Sequence, residues 1–181
     1  LIDDVAGAVP HAEDDGRRPA QQLRGIACNG RTLVVAEDIS HRVHVIDAAT
    51  MHLRHTFPLK YPGPIALDGD ERLWLIVRPE RSEGFTENAQ ELGKYRIVQY
   101  TLDGKPTGRE VRGVGVPSDL AIGGPNGYLY VADVAPGRLN VQIFDLSGDV
   151  PRRVGALGEP GGVYAGPVPG RMGTHRFDVL S

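Results

Sequence analysis

The chain has 181 residues, 40% hydrophobic and 24% charged, with a net charge of −3, the balance of a foldable unit of about one domain. Its acidic pI of about 6.1 argues against nucleic acid as a partner, and no uncharged apolar run reaches the ~18 residues of a membrane helix. Cys28 is the only cysteine, which excludes an internal disulfide and a cysteine-based zinc cluster.

Glycine and proline supply 38 of the 181 residues, against an average near ~12%. So much turn chemistry, with few helical polar–apolar stretches, predicts an all-β chain. No basic segment followed by an apolar one opens the chain at Leu1, so no signal peptide is visible. Residues 1–24 read as a solvated linker or the end of a preceding unit. Their acidic residues lack the D-x-D-x-D-G spacing of a calcium loop.

From Gly25 onward three segments line up. The first contains Gly25-Ile26-Ala27, Thr32–Glu37 and Arg42–Asp47. The second contains Pro64–Asp68, Arg72–Val77 and Arg96–Tyr100, and the third Asp119–Ile122, Tyr128–Asp133 and Asn140–Asp145. Each run is short, rich in Val, Ile, Leu and aromatics, and bounded by turn residues. Asn29-Gly30, Asp68-Gly69 and Asn126-Gly127 separate first from second strands, while Asp103-Gly104 and Ser147-Gly148 follow third strands. Such pairs suit the positive-φ turns of tight hairpins. Fourth strands are expected at Leu53–Leu59, Arg109–Val114 and Pro151–Leu157.

Each repeat is therefore a four-stranded antiparallel meander of about 40 residues, too small to bury its own faces. Stacking such sheets radially makes a β-propeller. The expected division is blades at 25–60, 64–114 (with an inserted loop at 79–94) and 117–158, then a Gly/Pro-rich segment, 159–181, leading to a further blade. Ala27, Ala66 and Ala121 would let first strands approach closely at the axis. Three blades are expected to be part of a six-bladed ring, completed by blades in the same chain or by a second copy.

The blades resemble NHL repeats, whose pattern runs through "YVAD" and "N-x-R-V-x-V-F-D" between glycine turns. The resemblance rests on Leu129–Asp133 with Val141–Asp145, and on Val35-Ala36-Glu37 with His41–Asp47. The second repeat departs from it, with Ile76-Val77 and a long loop. The resemblance implies a bacterial-type propeller, secreted or periplasmic, of a family that includes enzymes, RNA binders and interaction platforms.

Insertions and symmetry point to where function lies. The 79–94 loop offers Phe85 and Arg81 as partner-binding candidates, and the Gly-rich segment 155–173 offers Tyr164 as a rim contact. That segment lacks the strand, helix and Lys-Ser/Thr of a phosphate loop. Glu37 with Asp133, and Asp47 with Asp145, recur between repeats, so they read as turn and arginine partners. His41 and His44, beside Glu37 and Asp38, read as exposed or structural. Trp74 reads as packing, and Cys28 as buried and inert.

No nucleophile elbow and no Ser-His-Asp context occurs, so no catalytic residue is assigned. A non-catalytic binding or interaction scaffold, taking a protein, small-molecule or carbohydrate ligand through loops on one face and needing no cofactor, is the leading expectation. The alternative resembles the lactonase, streptogramin-lyase and amidating-lyase propellers, which hold a divalent cation (Ca or Zn) at the central channel. Asp68, Asp119 and Asn29, near first-strand ends, would then contribute ligands. RNA binding has little support, although Arg109, Arg112, Arg152, Arg153, Arg171 and Arg176 gather in the second half.

Overall fold

The structure, a computed structural model, describes residues 23–79, 94–166 and 175–177. Among them twelve strands form three four-stranded antiparallel sheets, each in sequence order. The first holds β1 (Leu23–Cys28), β2 (Thr32–Glu37), β3 (Arg42–Asp47) and β4 (Leu53–Pro58). The second holds β5 (Pro62–Leu67), β6 (Leu73–Val77), β7 (Arg96–Tyr100) and β8 (Pro106–Val111). The third holds β9 (Pro117–Gly123), β10 (Tyr128–Asp133), β11 (Asn140–Asp145) and β12 (Arg152–Leu157). No helix among the described residues is long and apolar enough to cross a membrane.

The sheets stack face to face, with β5 packed between β1 and β9. Period-two alternation then gives the middle sheet two apolar faces. Leu73 and Leu75 join Val34, Ala36, Val43, Val45 and Phe57 of the first sheet. Trp74 and Ile76 join Leu129, Val131 and Phe144 of the third. All four of these β6 residues are fully buried, which is why that strand reads as an unbroken apolar run. Three meanders with clustered first strands and cores between them are three blades of a β-propeller.

The close approach of first strands depends on glycine rather than alanine. A Cβ at Gly25 would stand 2.5 Å from the Gly63 carbonyl oxygen and 2.7 Å from Ile65 Cγ1. Ala27 and Ala66 instead face the neighbouring blade, as their pairing with Val34 and Trp74 shows. Cys28, expected to be buried, is exposed, because it lies on the outward face of the first blade. The fourth strand of the second blade begins at Pro106, three residues before the expected Arg109, since the Asp103-Gly104 turn is tight and Gly104 takes φ +80°.

Outer strands lock adjacent blades. Phe57 of β4 packs where a side chain on Gly104 would stand, 2.5 Å from its ring, and stacks near Tyr100. One blade further on, Arg109 of β8 lies 5.4 Å over the Trp74 ring. Its Nη2 donates to the carbonyls of Leu146 and Gly148, each at 2.6 Å, in the β11–β12 turn. A cation over an aromatic face and charge-assisted bonds to carbonyls both hold the second blade against the third.

The two outermost faces break this pattern. Ile26 pairs with Val35 as Ile65 pairs with Leu75 and Leu120 with Val131. Yet Ile26 is 69% exposed while Ile65 and Leu120 are 4% and 7%. At the other end Leu157 occupies the position of Phe57 and Val111, opposite Val141, Val43 and Ile97 respectively. It is 48% exposed, against 4% and 2% for its counterparts. The same apolar position is thus covered wherever a neighbouring blade exists and open where none is described.

Replacing Trp74 by alanine empties the seam between second and third blades and removes the ring under Arg109. A loss of about 3–5 kcal/mol is expected, read as a lowered urea midpoint with an unchanged native far-UV spectrum.

Candidate binding face

An antiparallel meander sends its first and third connections to one end and its second and fourth to the other. At the first end the turns repeat one device. Asn29 Oδ1 accepts from the amides of Arg31 (3.1 Å) and Thr32 (2.9 Å). Asp47 Oδ1 accepts from Ala49 (3.0 Å) and Thr50 (2.9 Å), and Asp68 Oδ1 from Asp70 (3.0 Å) and Arg72 (2.8 Å). Asp145 Oδ1 accepts from Ser147 at 2.9 Å. These side chains mimic backbone turns, and Asp47 and Asp145 also pair with Arg54 and Arg152.

The opposite end is irregular. It receives the long connection between β6 and β7 and the excursion after β12. There Asp133, fully buried, accepts from the amides of Gly115 (2.8 Å), Val116 (3.0 Å) and Ala135 (3.1 Å) and from Arg138 Nη1 (2.8 Å). Its counterpart Glu37 lies 3.2 Å from His44 Nε2, and His44 Nδ1 lies 3.0 Å from Thr56 Oγ1. His44 is buried and structural. The Tyr61 amide donates to His41 Nδ1 at 3.3 Å, and the two rings meet edge to face at 4.7 Å.

One group at this end has no repeat in the third blade. Asp38, just after β2, pairs with Arg78, just after β6, and lies 3.5 Å from Arg24 Nε of β1. By register the third blade has Val134 where these two have Asp38 and Arg78, and Ser118 where the first has Arg24. Arg24 also lines a groove of about 400 Å³ beside the first strands, with Gly25, Ile26, Pro64, Ile65 and Asp119. Two guanidinium groups thus share one carboxylate where the start of β1 meets the ends of β2 and β6.

The positions singled out by sequence are dispersed. Asn29 and Asp68 hold turns at the regular end. Asp119 is the third residue of β9 and lies beside the groove, with its Oδ1 accepting from the Leu120 amide at 2.8 Å. It aligns with Gly25, four residues before Asn29, or ~13 Å along a strand. Among the described residues no group of three or more His, Cys, Asp or Glu side chains converges as metal ligands would. Tyr164 is exposed on the short turn Gly162–Tyr164 at the irregular end. That turn is held by the Val163 amide donating to the Phe177 carbonyl and by Arg176 pairing with Glu159. Phe85 and Arg81 lie outside the described residues.

No protein-family model matches the chain, and no curated protein matches it. Similar solved structures are β-propeller proteins. A chain of a nidogen/laminin complex is 16% identical, over 76% of this chain and 49% of that one, with a TM-score of 0.51. Hydrazine synthase from Kuenenia stuttgartiensis is 19% identical over 72% and 34%, TM-score 0.48. The β-propeller domain of Myceliophteria thermophila Cps50 (Swd1) is 14% identical over 76% and 41%, TM-score 0.47. The chain spans about a third to a half of the length of these solved chains.

Several carboxylates titrate below their ordinary range. Burial pushes Glu37 up, but its hydrogen bond with His44 and the charges of His44 and Arg42 pull it lower overall. The Arg54 guanidinium holds Asp47 well down, Lys105 holds Asp103 at about 2, and the Ser147 amide lowers Asp145. Asp68 moves up, because burial outweighs the amides of Arg72 and Asp70. A carboxylate depressed by folding contributes stability above its unfolded value and loses it as pH falls through the folded one. The urea midpoint is therefore expected to fall from about pH 4.5 downward, with Asp68 opposing the trend among the described residues. Glu37→Gln removes part of that slope, and an unchanged slope in this variant would show that the Glu37–His44 pair contributes nothing.

Proposed function

We propose that the chain supplies three blades of a six-bladed, NHL-like propeller acting as a non-catalytic binding scaffold. Its ligand, a protein or a small molecule such as a carbohydrate, is taken through the connections at the irregular end. The observation that carries this reading is the contrast between the two ends. One repeats the same side-chain device in each blade, at Asn29, Asp47, Asp68 and Asp145, and the other carries Arg24, Asp38 and Arg78, a cluster with no repeat in the third blade, beside the exposed Gly162–Tyr164 turn. Binding that distinguishes one ligand needs asymmetry, because identical blades present identical surfaces.

The reading is tested by following backbone amide signals during titration with a panel of small carbohydrates and, separately, with Ca²⁺ and Zn²⁺. Shifts confined to 38–41, 59–61, 112–116 and 134–139 support the scaffold. Shifts at 29–31, 68–72 and 101–105 overturn the choice of face. Saturable binding of either metal with shifts at Asp119, Asp68 and Asn29 overturns the scaffold in favour of the metal-dependent hydrolase or lyase.

Ring completion is supported by the open positions of Ile26 and Leu157. The missing occupant of each is another four-stranded blade, in the same chain or in a second copy. In the protein as it occurs, Ile26→Asp and Ile65→Asp are then both expected to destabilise by about 3 kcal/mol or more, because both bury an unpaired charge. A near-neutral Ile26→Asp beside a damaging Ile65→Asp in a chemical-denaturation series would rule out the ring.

A further inference from the structure

We infer that Arg24 and Arg78 form a receptor for a ligand carboxylate, shared between the first and second blades; this inference rests on the irregular end being the binding face. The charge count comes first. Two guanidinium groups meet one carboxylate, an excess of one positive charge over Asp38 that Asp119, on the wall of the same groove, partly offsets. A monoanion suits what remains better than a phosphate dianion, which would add to the repulsion from Asp119.

Donor geometry agrees. The Nε groups of both Arg24 and Arg78 are buried and make no hydrogen bond among the described residues. Arg24 Nε is 3.5 Å from Asp38 Oδ2, beyond the range of a formed N–H···O bond. An arginine fork offers five donors matched to the two oxygens of a carboxylate, and Asp38 leaves several of them over.

Arg24 supplies the access: its side chain is about a third exposed and forms part of the wall of the 400 Å³ groove, whereas Arg78 lies outside that wall, mostly buried beside Gly63. Neither arginine has a counterpart in the third blade, as expected of a site rather than of a repeated structural lock. With both arginines turned to it, Asp38 is an internal competitor: its own carboxylate occupies the place a ligand carboxylate would take.

The test follows the arginine side-chain Nε–Hε signals during titration with benzoate, benzamide and inorganic phosphate. Benzoate is expected to shift the Arg24 and Arg78 signals saturably, benzamide not at all, and phosphate more weakly. Arg78→Ala should weaken benzoate by roughly tenfold or more, the loss of one charged hydrogen-bonding partner. Arg78→Lys should restore only part of that, because a lysine lacks the fork. Asp38→Asn should tighten benzoate several-fold by removing the competitor; a purely structural clamp would instead give Asp38→Asn lower stability and no binding. Unchanged amide spectra establish that each variant is folded. Absence of benzoate shifts, equal shifts with benzamide, or stronger binding of phosphate would each overturn the carboxylate site. Equal shifts with benzamide would leave the binding face standing, whereas benzoate shifts at 29–31 and 68–72 would overturn that as well.

Discussion

A four-stranded sheet of some 40 residues has two apolar faces and no element of its own to cover either. Everything else in this chain answers that constraint. The middle blade shows the solution complete: β6 buries Leu73 and Leu75 against the first blade and Trp74 and Ile76 against the third. Burying one such side chain stabilises by ~1.5–3 kcal/mol, but only when the next sheet is present. Stability therefore resides in the seams more than in the sheets, and the seams carry the least tolerant residues. Gly25 admits no Cβ against Gly63, Phe57 fills the space over Gly104, and Arg109 reaches across to two carbonyls of the following turn.

The fold was legible because this constraint writes itself into local sequence. Alternation of buried and open residues, Asn-Gly and Asp-Gly turns, and recurrence of Val-Ala-Asp-like runs are all short-range signals. The recurring carboxylates were legible for the same reason. Asp133, Asp47 and Asp145 serve amides within a few residues or on the adjoining connection, so repetition revealed a structural role. What went astray depended on the third dimension. Cys28 looked buried beside Ala27, but it lies on the face of β1 turned away from the second blade. Ala66 looked axial, yet it faces Trp74 across the strand pair and packs towards the third blade.

The candidate site was hardly legible at all. Arg24, Asp38 and Arg78 are separated by up to 54 positions and come from three strand ends in two blades. Only when blades are superposed by register does it emerge that Asp38 and Arg78 hold the same position in successive repeats with opposite charge. Pairing Asp38 with His41 and His44 as near neighbours missed this, since His44 turns to Glu37 and Thr56 instead. A usable signal exists: a repeat position that alternates sign between adjacent blades and is apolar in the third marks a contact between blades, not within one.

Placing that contact at a seam gives it a second consequence. Asp38 follows β2 and Arg78 follows β6, so their pair ties the first blade to the second at the inner strands while Phe57 ties them at the outer ones. A ligand that engages both arginines adds a bridge across the same seam. Binding to the folded state alone raises stability by mass action, and here the added free energy falls on the interface that already limits how independently a blade can move. The turns at the far end are closed by their own residues and gain nothing from such a bridge. On the proposed reading, recognition at one end and rigidity at the other then follow from the same stacking that makes a lone sheet unstable.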